Sequence, residues 1–289
     1  MNQKIKVAVI GLGAMGLPIA ANLARAGYPT QGWNRSESAR EAASRVGIST
    51  PANLNEIDAR IVFVTLPDLP QLIEVLGNGL QEALKPGDYL VVMSTVSPVE
   101  ITKFSTSMKE HGVVVVDAPL SGGEVGAAQA TLSIMVGADK SSFEFLQPIL
   151  ATLGKTVVLL GDVGSGQLTK AANQIVVAIN LAAIGEAITL ARRAGLDASK
   201  VLEIFSGGLA NSAVLQLRRP KIEAMDFPAG GKSKFLLKDL YFALDAAKSD
   251  GTDLPVTELV TQLYAKLIEN GDGELDHSAI IREIERLSN

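Results

Sequence analysis

The sequence predicts an α/β protein, with a doubly wound, mostly parallel sheet at the N-terminus and an all-α domain at the C-terminus, joined by a long helix. Short β-branched runs alternate with helical segments up to residue 160, the pattern of a parallel sheet covered by helices on both faces. Beyond residue 160 the predicted segments are all helical. A length of 289 residues suits two cores. We therefore predict two domains, 1–162 and 163–289.

The first predicted strand runs directly into a glycine-rich turn. Residues 4–10 (KIKVAVI) predict that strand, 17–26 a helix and 30–33 a second strand. A plain tight turn is one interpretation of the residues between, but strand, G-x-G-x-x-G, helix and strand together are typical of a Rossmann-type dinucleotide site. Helix N–H groups hold the cofactor's pyrophosphate in such a site. The predicted cofactor residues here are Gly11, Leu12, Gly13, Ala14, Met15 and Gly16.

The end of the second strand favours NADP over NAD as the cofactor. An NAD site usually has Asp or Glu there, because a carboxylate accepts hydrogen bonds from the ribose hydroxyls. This chain has Asn34, Arg35 and Ser36 instead. A guanidinium pairs with the extra phosphate of NADP, which a carboxylate would repel. A surface arginine without a ligand is the alternative, and the use of NAD stays open.

Further strands are predicted over 60–66, 89–94, 113–117, 132–136 and 156–160, with helices over 36–46, 69–83, 98–110 and 141–153. Ligands of open α/β sheets bind beyond the carboxyl ends of the strands. Two of these strands end at Leu66-Pro67 and at Ser94-Thr95. We therefore expect Leu66, Pro67 and Thr95 to border the cofactor.

The strand at 113–117 leads into a second glycine-rich turn that contains Ser121, Gly122 and Gly123. Exposed backbone N–H groups together with a hydroxyl suit a substrate carboxylate. An ordinary strand-to-loop turn is the alternative interpretation.

Residues 164–195 predict one long helix with apolar residues on every side, the pattern of a buried helix. Lys170 and Asn173 lie three residues apart in it and therefore share a face. A buried ammonium is costly unless it has a partner or a chemical role. A lysine that extends to water is the alternative. Further helices are predicted over 198–205, 212–221, 235–249, 256–270 and 278–288.

Composition argues against several kinds of site. The net charge of −5 provides no basic field for nucleic acid. The absence of cysteine excludes disulfides, thiolate zinc sites and a cysteine nucleophile. The only histidines, His111 and His277, stand in polar surroundings, so no metal site is expected. The first residues do not have the pattern of a signal peptide, and polar residues interrupt the most apolar window, 171–191. We expect a cytoplasmic protein without membrane contact.

Four stretches together resemble the β-hydroxyacid dehydrogenase family, in order and in spacing over essentially the whole chain. They are residues 11–23 (GLGAMGLPIAANL), 117–123 (DAPLSGG), 164–174 (GSGQLTKAANQ) and 238–240 (KDL). The resemblance implies a catalytic role for Lys170 and a cofactor contact for Lys238. It also implies substrate contacts for Ser121, Gly122, Gly123 and Asn173. Many members have a second Asn where this chain has Gln174, so the role of Gln174 stays open.

The resemblance implies an NADP(H)-dependent enzyme that interconverts a small β-hydroxy acid and its semialdehyde or keto form. Residues 131–137, 207–215 and 276–279 look closest to the tartronate semialdehyde reductase branch, and 3-hydroxyisobutyrate or another β-hydroxy acid is the alternative substrate. An imine reductase and a non-catalytic NADP-binding scaffold are further alternatives. Lys170 argues against both, because such relatives usually lack that lysine. The long apolar helix needs cover on all sides, so we expect a homodimer or homotetramer built mainly through the second domain.

Overall fold

A computed structural model describes residues 5–288 and divides the chain into two compact units, with the division between Lys170 and Ala171. Residues 1–4 and 289 lie outside the described residues, and Lys4, the first residue of the first predicted strand, is among them. The predicted domain boundary between residues 162 and 163 stays a prediction.

The first unit is built on one twisted sheet. Its described strands are β1 Val7–Ile10, β2 Thr30–Trp33, β3 Ile61–Val64, β4 Tyr89–Val92, β5 Val114–Asp117, β6 Leu120–Ser121, β7 Leu132–Gly137 and β8 Gly154–Gly161. They are arranged in the order β2-β1-β3-β4-β5-β7-β6, and β8 also pairs with β7. The first five strands are parallel, whereas β7 is antiparallel to β5 and β6. The predicted mostly parallel sheet is confirmed.

Helices cover both faces of this sheet. They are α1 Gly16–Arg25, α2 Glu37–Arg45, α3 Leu69–Val75, α4 Gln81–Ala83, α5 Pro98–Lys109, α6 Gly123–Gln129 and α7 Lys140–Leu150. Alternate residues of a strand point to opposite faces, so Val7 and Val9 join one apolar core and Ala8 and Ile10 the other. All four are fully buried, as expected of a strand between two layers of helices.

Two local expectations are wrong. The helix predicted over 69–83 is interrupted by a kink within Leu76–Leu80, because Gly79 adopts a φ of +118° that a regular helix does not allow. The turn predicted after Asp117 contains strand β6 and leads into helix α6, neither of which was predicted. A strand of two residues has too few positions to show an alternating pattern.

The second unit is all-helical, as predicted. Helix α8, Ser165–Arg193, begins in the first unit and continues into the second, where it is followed by α9 Ala198–Gly207, α10 Ala213–Ala224, α11 Ser233–Asp250, α12 Pro255–Glu269 and α13 Ile280–Leu287. A short 3₁₀ turn, His277–Ala279, precedes α13. Leu181 and Ile188 of α8 lie in the core of this unit together with Tyr264 of α12.

Helix α8 is long and apolar enough, by length and composition alone, to cross a membrane. Its best window has a mean hydropathy of 1.7 and is 50% buried within the structure. The core helix of a soluble protein has the same features, and Asn173, Asn180 and Glu186 lie within it. Burial on every side, which the sequence predicted, is not found within one chain. Val176 is 67% exposed and Leu190 is 72% exposed, because the other helices of the unit leave this side of α8 uncovered.

Candidate active site

The glycine turn between β1 and α1 has the shape of a diphosphate cradle. Gly11 has a φ of +96°, and a methyl group there would lie 2.9 Å from the carbonyl oxygen of Thr65. A methyl group at Gly16 would overlap the carbonyl oxygen of Gly11, whereas one at Gly13 would meet nothing within 4 Å. Gly11 and Gly16 therefore close the turn, and Gly13 leaves room beside the first N–H groups of α1. A dinucleotide's diphosphate fits such a space.

Side-chain hydrogen bonds join this turn to the neighbouring strand ends. Asn34 Oδ1 accepts the Leu12 N–H at 3.0 Å, so the end of β2 is tied to the glycine turn. Thr65 donates its hydroxyl to the Gly11 carbonyl at 2.6 Å from the end of β3. Thr65 was not predicted, although its position next to Leu66 was a usable signal. The glycine turn is thus held from both sides by the ends of β2 and β3.

Arg35 and Ser36 lie exposed just beyond β2. Arg35 Nη1 is 3.8 Å from Glu74 Oε1, and because both side chains are mostly exposed this ion pair is weak. Arg40 on α2 donates from Nη1 to the carbonyl oxygens of Asn34 and Arg35, at 2.6 and 3.1 Å. A second guanidinium therefore lies beside the turn predicted to select the cofactor. Arg40 was not predicted because it belongs to no motif, and only the course of α2 places its side chain next to the end of β2.

The ends of β3 and β4 lie side by side, since these strands are parallel neighbours in register. Leu66 is half-buried against the sheet's core, Pro67 is exposed and Thr95 is half-buried. Ser94, which precedes Thr95, is buried. These residues occupy the edge of the sheet from which the glycine turn also emerges, and their contact with a cofactor stays a prediction.

Ser121 lies in β6, paired with Ser133 of β7, and so belongs to the sheet and not to a free turn. Gly122 and Gly123 follow it with φ values of +125° and +60°, and both are exposed. A methyl group on Gly123 would meet nothing within 4 Å. The sheet therefore fixes the Ser121 backbone, while open backbone lies next to it for a ligand.

Lys170 lies in the second turn of α8 and is only 8% exposed. The first turn of that helix is held by Asp117, the last residue of β5, which is fully buried. Asp117 accepts the N–H groups of Gly164 and Gln167, each at 2.7 Å. Burial raises the pKa of Asp117 to about 6, and these two hydrogen bonds oppose the rise. Neither Asp117 nor Gln167 was predicted to have a role.

In the second unit, the polar residues after Lys170 form their own chain of hydrogen bonds. Asn173 Nδ2 donates to Gln174 Oε1 at 2.9 Å, and Gln174 Nε2 donates to Asp239 Oδ2 at 2.8 Å. Lys238 Nζ lies 3.3 Å from Asp239 Oδ1. Gln174 and Asp239 are buried, so Gln174 acts here as a link between Asn173 and the helix that carries Lys238. Asp239, adjacent to a predicted residue, was not singled out.

Among residues 5–288, no group of three or more His, Asp or Glu side chains has an arrangement that could hold a metal ion. His111 is exposed and His277 is half-buried.

A Rossmann-type sheet whose first glycine turn has room for a diphosphate is typical of a nicotinamide dinucleotide-dependent oxidoreductase. Residues 6–161 match the family model described as the NAD binding domain of 6-phosphogluconate dehydrogenase. Residues 164–284 match the one described as NAD-binding of NADP-dependent 3-hydroxyisobutyrate dehydrogenase.

Individual relatives match over nearly the whole chain. The 2-hydroxy-3-oxopropionate reductase of Escherichia coli (strain K12) is 40% identical over 289 residues, covering 99% of each chain. The 2-(hydroxymethyl)glutarate dehydrogenase of Eubacterium barkeri is 35% identical over 294 residues, covering 100% of this chain and 97% of that one. The crystal structure of a 3-hydroxyisobutyrate dehydrogenase from Salmonella typhimurium gives a TM-score of 0.90 at 26% identity, covering 96% of this chain and 99% of that chain.

The chain belongs to the β-hydroxyacid dehydrogenase family. It is an NAD(P)-dependent dehydrogenase or reductase that acts on a small molecule at a hydroxyl group or the corresponding carbonyl. The family resemblance and the nicotinamide cofactor, both predicted from the sequence, are confirmed.

Proposed function

We propose that this enzyme interconverts a small β-hydroxy acid and its semialdehyde, with NADP(H) as the preferred cofactor and Lys170 as general acid and base. The best-supported substrate is 2-hydroxy-3-oxopropionate (tartronate semialdehyde), because a relative named for its reduction is 40% identical over almost the full length of both chains. 3-Hydroxyisobutyrate and other β-hydroxy acids stay as alternatives.

The observation that carries the proposal is the burial of Lys170 on a helix whose first turn is fastened to the strand leading to Ser121. The bound cofactor supplies the hydride. The carbonyl oxygen of the substrate then gains negative charge, and a cation that also donates a proton stabilises it. Lys170 provides both functions from one side chain. Asn173, three residues further along α8, is neutral and positions a polar group without cancelling that charge.

Two further groups of residues complete the proposed site. Ser121, Gly122 and Gly123 offer a hydroxyl and open backbone N–H groups to the substrate's carboxylate. Gly11, Gly13 and Gly16 shape the space for the cofactor's diphosphate, with Leu12, Ala14 and Met15 in the same turn. The strand ends contribute Leu66, Pro67 and Thr95 to the proposed cofactor site. The proposed cofactor contact of Lys238 is based on the family resemblance alone.

The test of this function is the turnover of Lys170→Ala on a panel of β-hydroxy acids and semialdehydes. We expect kcat to fall by about 10²–10⁴, the range for loss of a general acid. NADPH affinity, measured by fluorescence titration, should stay nearly unchanged, since the proposed phosphate contacts lie at residues 11–16 and 34–36. Lys109→Ala, at an exposed lysine that ends α5, is the matched control. A Lys170→Ala variant with normal turnover contradicts the proposal, and an unmodified protein that binds NADPH without any turnover supports the scaffold alternative.

Cofactor choice rests on the two guanidinium groups, Arg35 and Arg40, at the end of β2. We expect a lower KM for NADPH than for NADH, and a shift toward NADH in Arg35→Asp. Loss of a charge-assisted phosphate contact should cost about 1.5–3 kcal/mol in kcat/KM with NADPH. Arg45→Asp, at the exposed last residue of α2, controls for the change in net charge. Equal efficiency of the unmodified enzyme with both cofactors would refute this preference.

We further propose a homodimer or homotetramer in the cytoplasm. Support for the assembly comes from Val176 and Leu190, large apolar side chains of α8 that are mostly exposed in the second unit. A monomeric mass in light scattering at micromolar concentration would contradict it. The cytoplasm is proposed because a dissociable nicotinamide cofactor must be drawn from a cellular pool.

A further inference from the structure

Three segments of the first unit that contribute to the proposed site are linked by two buried side chains. The segments are the end of β5 before Ser121, the loop after β4 that contains Thr95, and the start of α8 before Lys170. Asp117 links the first segment to the third, and Gln167 links the second to the third.

Asp117 holds the helix with both oxygens of its carboxylate. Oδ1 accepts the N–H of Gly164, the residue before α8, and Oδ2 accepts the N–H of Gln167 in its first turn, each at 2.7 Å. The N–H groups of a first helical turn have no partner within the helix, so a side chain from outside must satisfy them when they are buried. Two bonds to one rigid carboxylate fix both the position and the rotation of the turn.

Gln167 uses both ends of its amide. Nε2 donates to the Ser94 carbonyl at 2.8 Å, and Oε1 accepts the Val96 N–H at 3.0 Å. The residue between these two contacts is Thr95, proposed for the cofactor. Gln167 is 1% exposed, so neither contact competes with water. The first turn of α8 is therefore fixed to the β4 loop as well as to β5.

The surroundings of Asp117 leave its carboxylate no other position. A methyl group at Gly137 would overlap Oδ1 and lie 2.8 Å from Cγ, and one at Gly166 would lie 2.7 Å from Oδ2. Glycine at both positions lets β7 and α8 close on the carboxylate. The burial that results raises the pKa of Asp117 to about 6, so the ionised group is kept there against its desolvation.

We propose that Asp117 and Gln167 are positioning residues, which hold the first turn of α8 so that Lys170, one turn further on, is presented correctly to the substrate. This inference rests on the proposed function, in which Lys170 transfers the proton. Lys170 follows Gln167 by three residues and therefore lies on the same side of the helix. A displacement of about 1 Å in a reacting group is enough to reduce turnover about 10²-fold.

The test is a double-mutant cycle with Lys170→Ala. Asp117→Asn keeps one acceptor oxygen but turns an NH₂ group toward the second backbone N–H. Gln167→Met keeps the size of the side chain without either hydrogen bond, and it serves as the second variant if Asp117→Asn folds poorly. We expect each to lower kcat by about 10- to 100-fold with a much smaller change in KM for the substrate. In the Lys170→Ala background, neither should lower kcat further, because the group that they position is gone.

Asp139→Asn is the matched control, since Asp139 also accepts N–H and hydroxyl groups at the start of a helix of the first unit, α7. It should leave kcat unchanged. Equal fractional losses of kcat in the two backgrounds, or unchanged kcat in both Asp117→Asn and Gln167→Met, would overturn the positioning role while the proposed function stands. Normal turnover of the Lys170→Ala single variant overturns the proposed function itself.

Discussion

Asp117 and Asp139 both accept N–H groups at the start of a helix, but Asp117 is fully buried and Asp139 is exposed. Asp139 precedes α7, is exposed, and accepts the Ser142 N–H together with the hydroxyls of Ser141 and Ser142. These bonds, led by the one from Ser141, lower its pKa to about 2. Asp117 accepts two backbone N–H groups, each at 2.7 Å, but its full burial raises its pKa to about 6.

The difference shows what each carboxylate contributes. At neutral pH the ionised Asp139 stabilises the fold, because its charged form is favoured by its partners. The ionised Asp117 opposes folding, because desolvation outweighs its hydrogen bonds. At α7, an exposed N-cap residue next to the helix is sufficient, because it has only to satisfy the N–H group of the first turn. At α8, which carries Lys170, the hydrogen bonds from Asp117 fix the start of the helix to strand β5. A cap residue next to the helix would not connect it to the sheet.

The largest expected effect comes from closing the space around the buried carboxylate. In Gly166→Ala the new methyl group lies 2.7 Å from Asp117 Oδ2 and overlaps the Met135 carbonyl oxygen. Alanine gains about 1 kcal/mol in helix propensity. The clash with backbone should outweigh this, and we expect a net loss of about 3 kcal/mol or more in the free energy of unfolding.

Chemical denaturation of Gly166→Ala beside Gly77→Ala measures this effect. Gly77 is exposed in the first unit, and a methyl group there meets nothing within 4 Å. Its substitution should change stability by less than about 1 kcal/mol. A Gly166→Ala protein as stable as the wild type would show that β5, β7 and α8 are not packed tightly around Asp117.

The same pair of carboxylates shows how far sequence reasoning extends. The glycine turn and the segment from Ser121 to Gly123 were singled out because each directly follows a strand with a clear hydrophobic pattern. Lys170 was singled out as a charged residue in an apolar helix, and its catalytic role was implied by the family resemblance. Most strands and helices were predicted from their hydrophobic patterns, to within a few residues of their observed ends. Asp117 lay inside a recognised motif, but nothing local indicated what its side chain contacts.

The contacts of Asp117 and Gln167 depend on strand order and register. Asp117 meets Gly164 and Gln167 across 47 and 50 positions of the chain, and Gln167 meets Val96 across 71. Hydrophobic periodicity shows which face of an element is buried but not which remote side chain it meets there. Arg40 and Asp239 were missed for a related reason, since each is brought to a predicted residue by a helix and carries no motif of its own.

The pH dependence of stability separates the two carboxylates directly, with a smaller effect than the glycine substitution. An unfolded Asp titrates near pH 4, whereas Asp117 in the folded protein titrates at about 6. The stability that the protonated Asp117 contributes is therefore full below about pH 4 and is lost as the pH rises through 6, a change of roughly 3 kcal/mol. Asp139 has the opposite sign. Its contribution is present above about pH 4 and is lost as the pH falls toward 2, and because the group is exposed, screening leaves about 1 kcal/mol.

Denaturation of the wild type, Asp117→Asn and Asp139→Asn at pH 4 and pH 7 tests both signs. Relative to Asp117→Asn, the wild type should lose stability as the pH rises between these values. Relative to Asp139→Asn, the wild type should keep its stability over the same interval and lose it in a third measurement at pH 3, because the contribution of Asp139 is lost only below about pH 4. The amide shifts of Gly164 and Gln167 give an independent measure, since both N–H groups bond to the titrating carboxylate and should move together near pH 6. If these amide shifts changed below pH 4 instead, hydrogen bonding would outweigh desolvation at Asp117. The pKa values of Asp117 and Asp139 would then be shifted in the same direction.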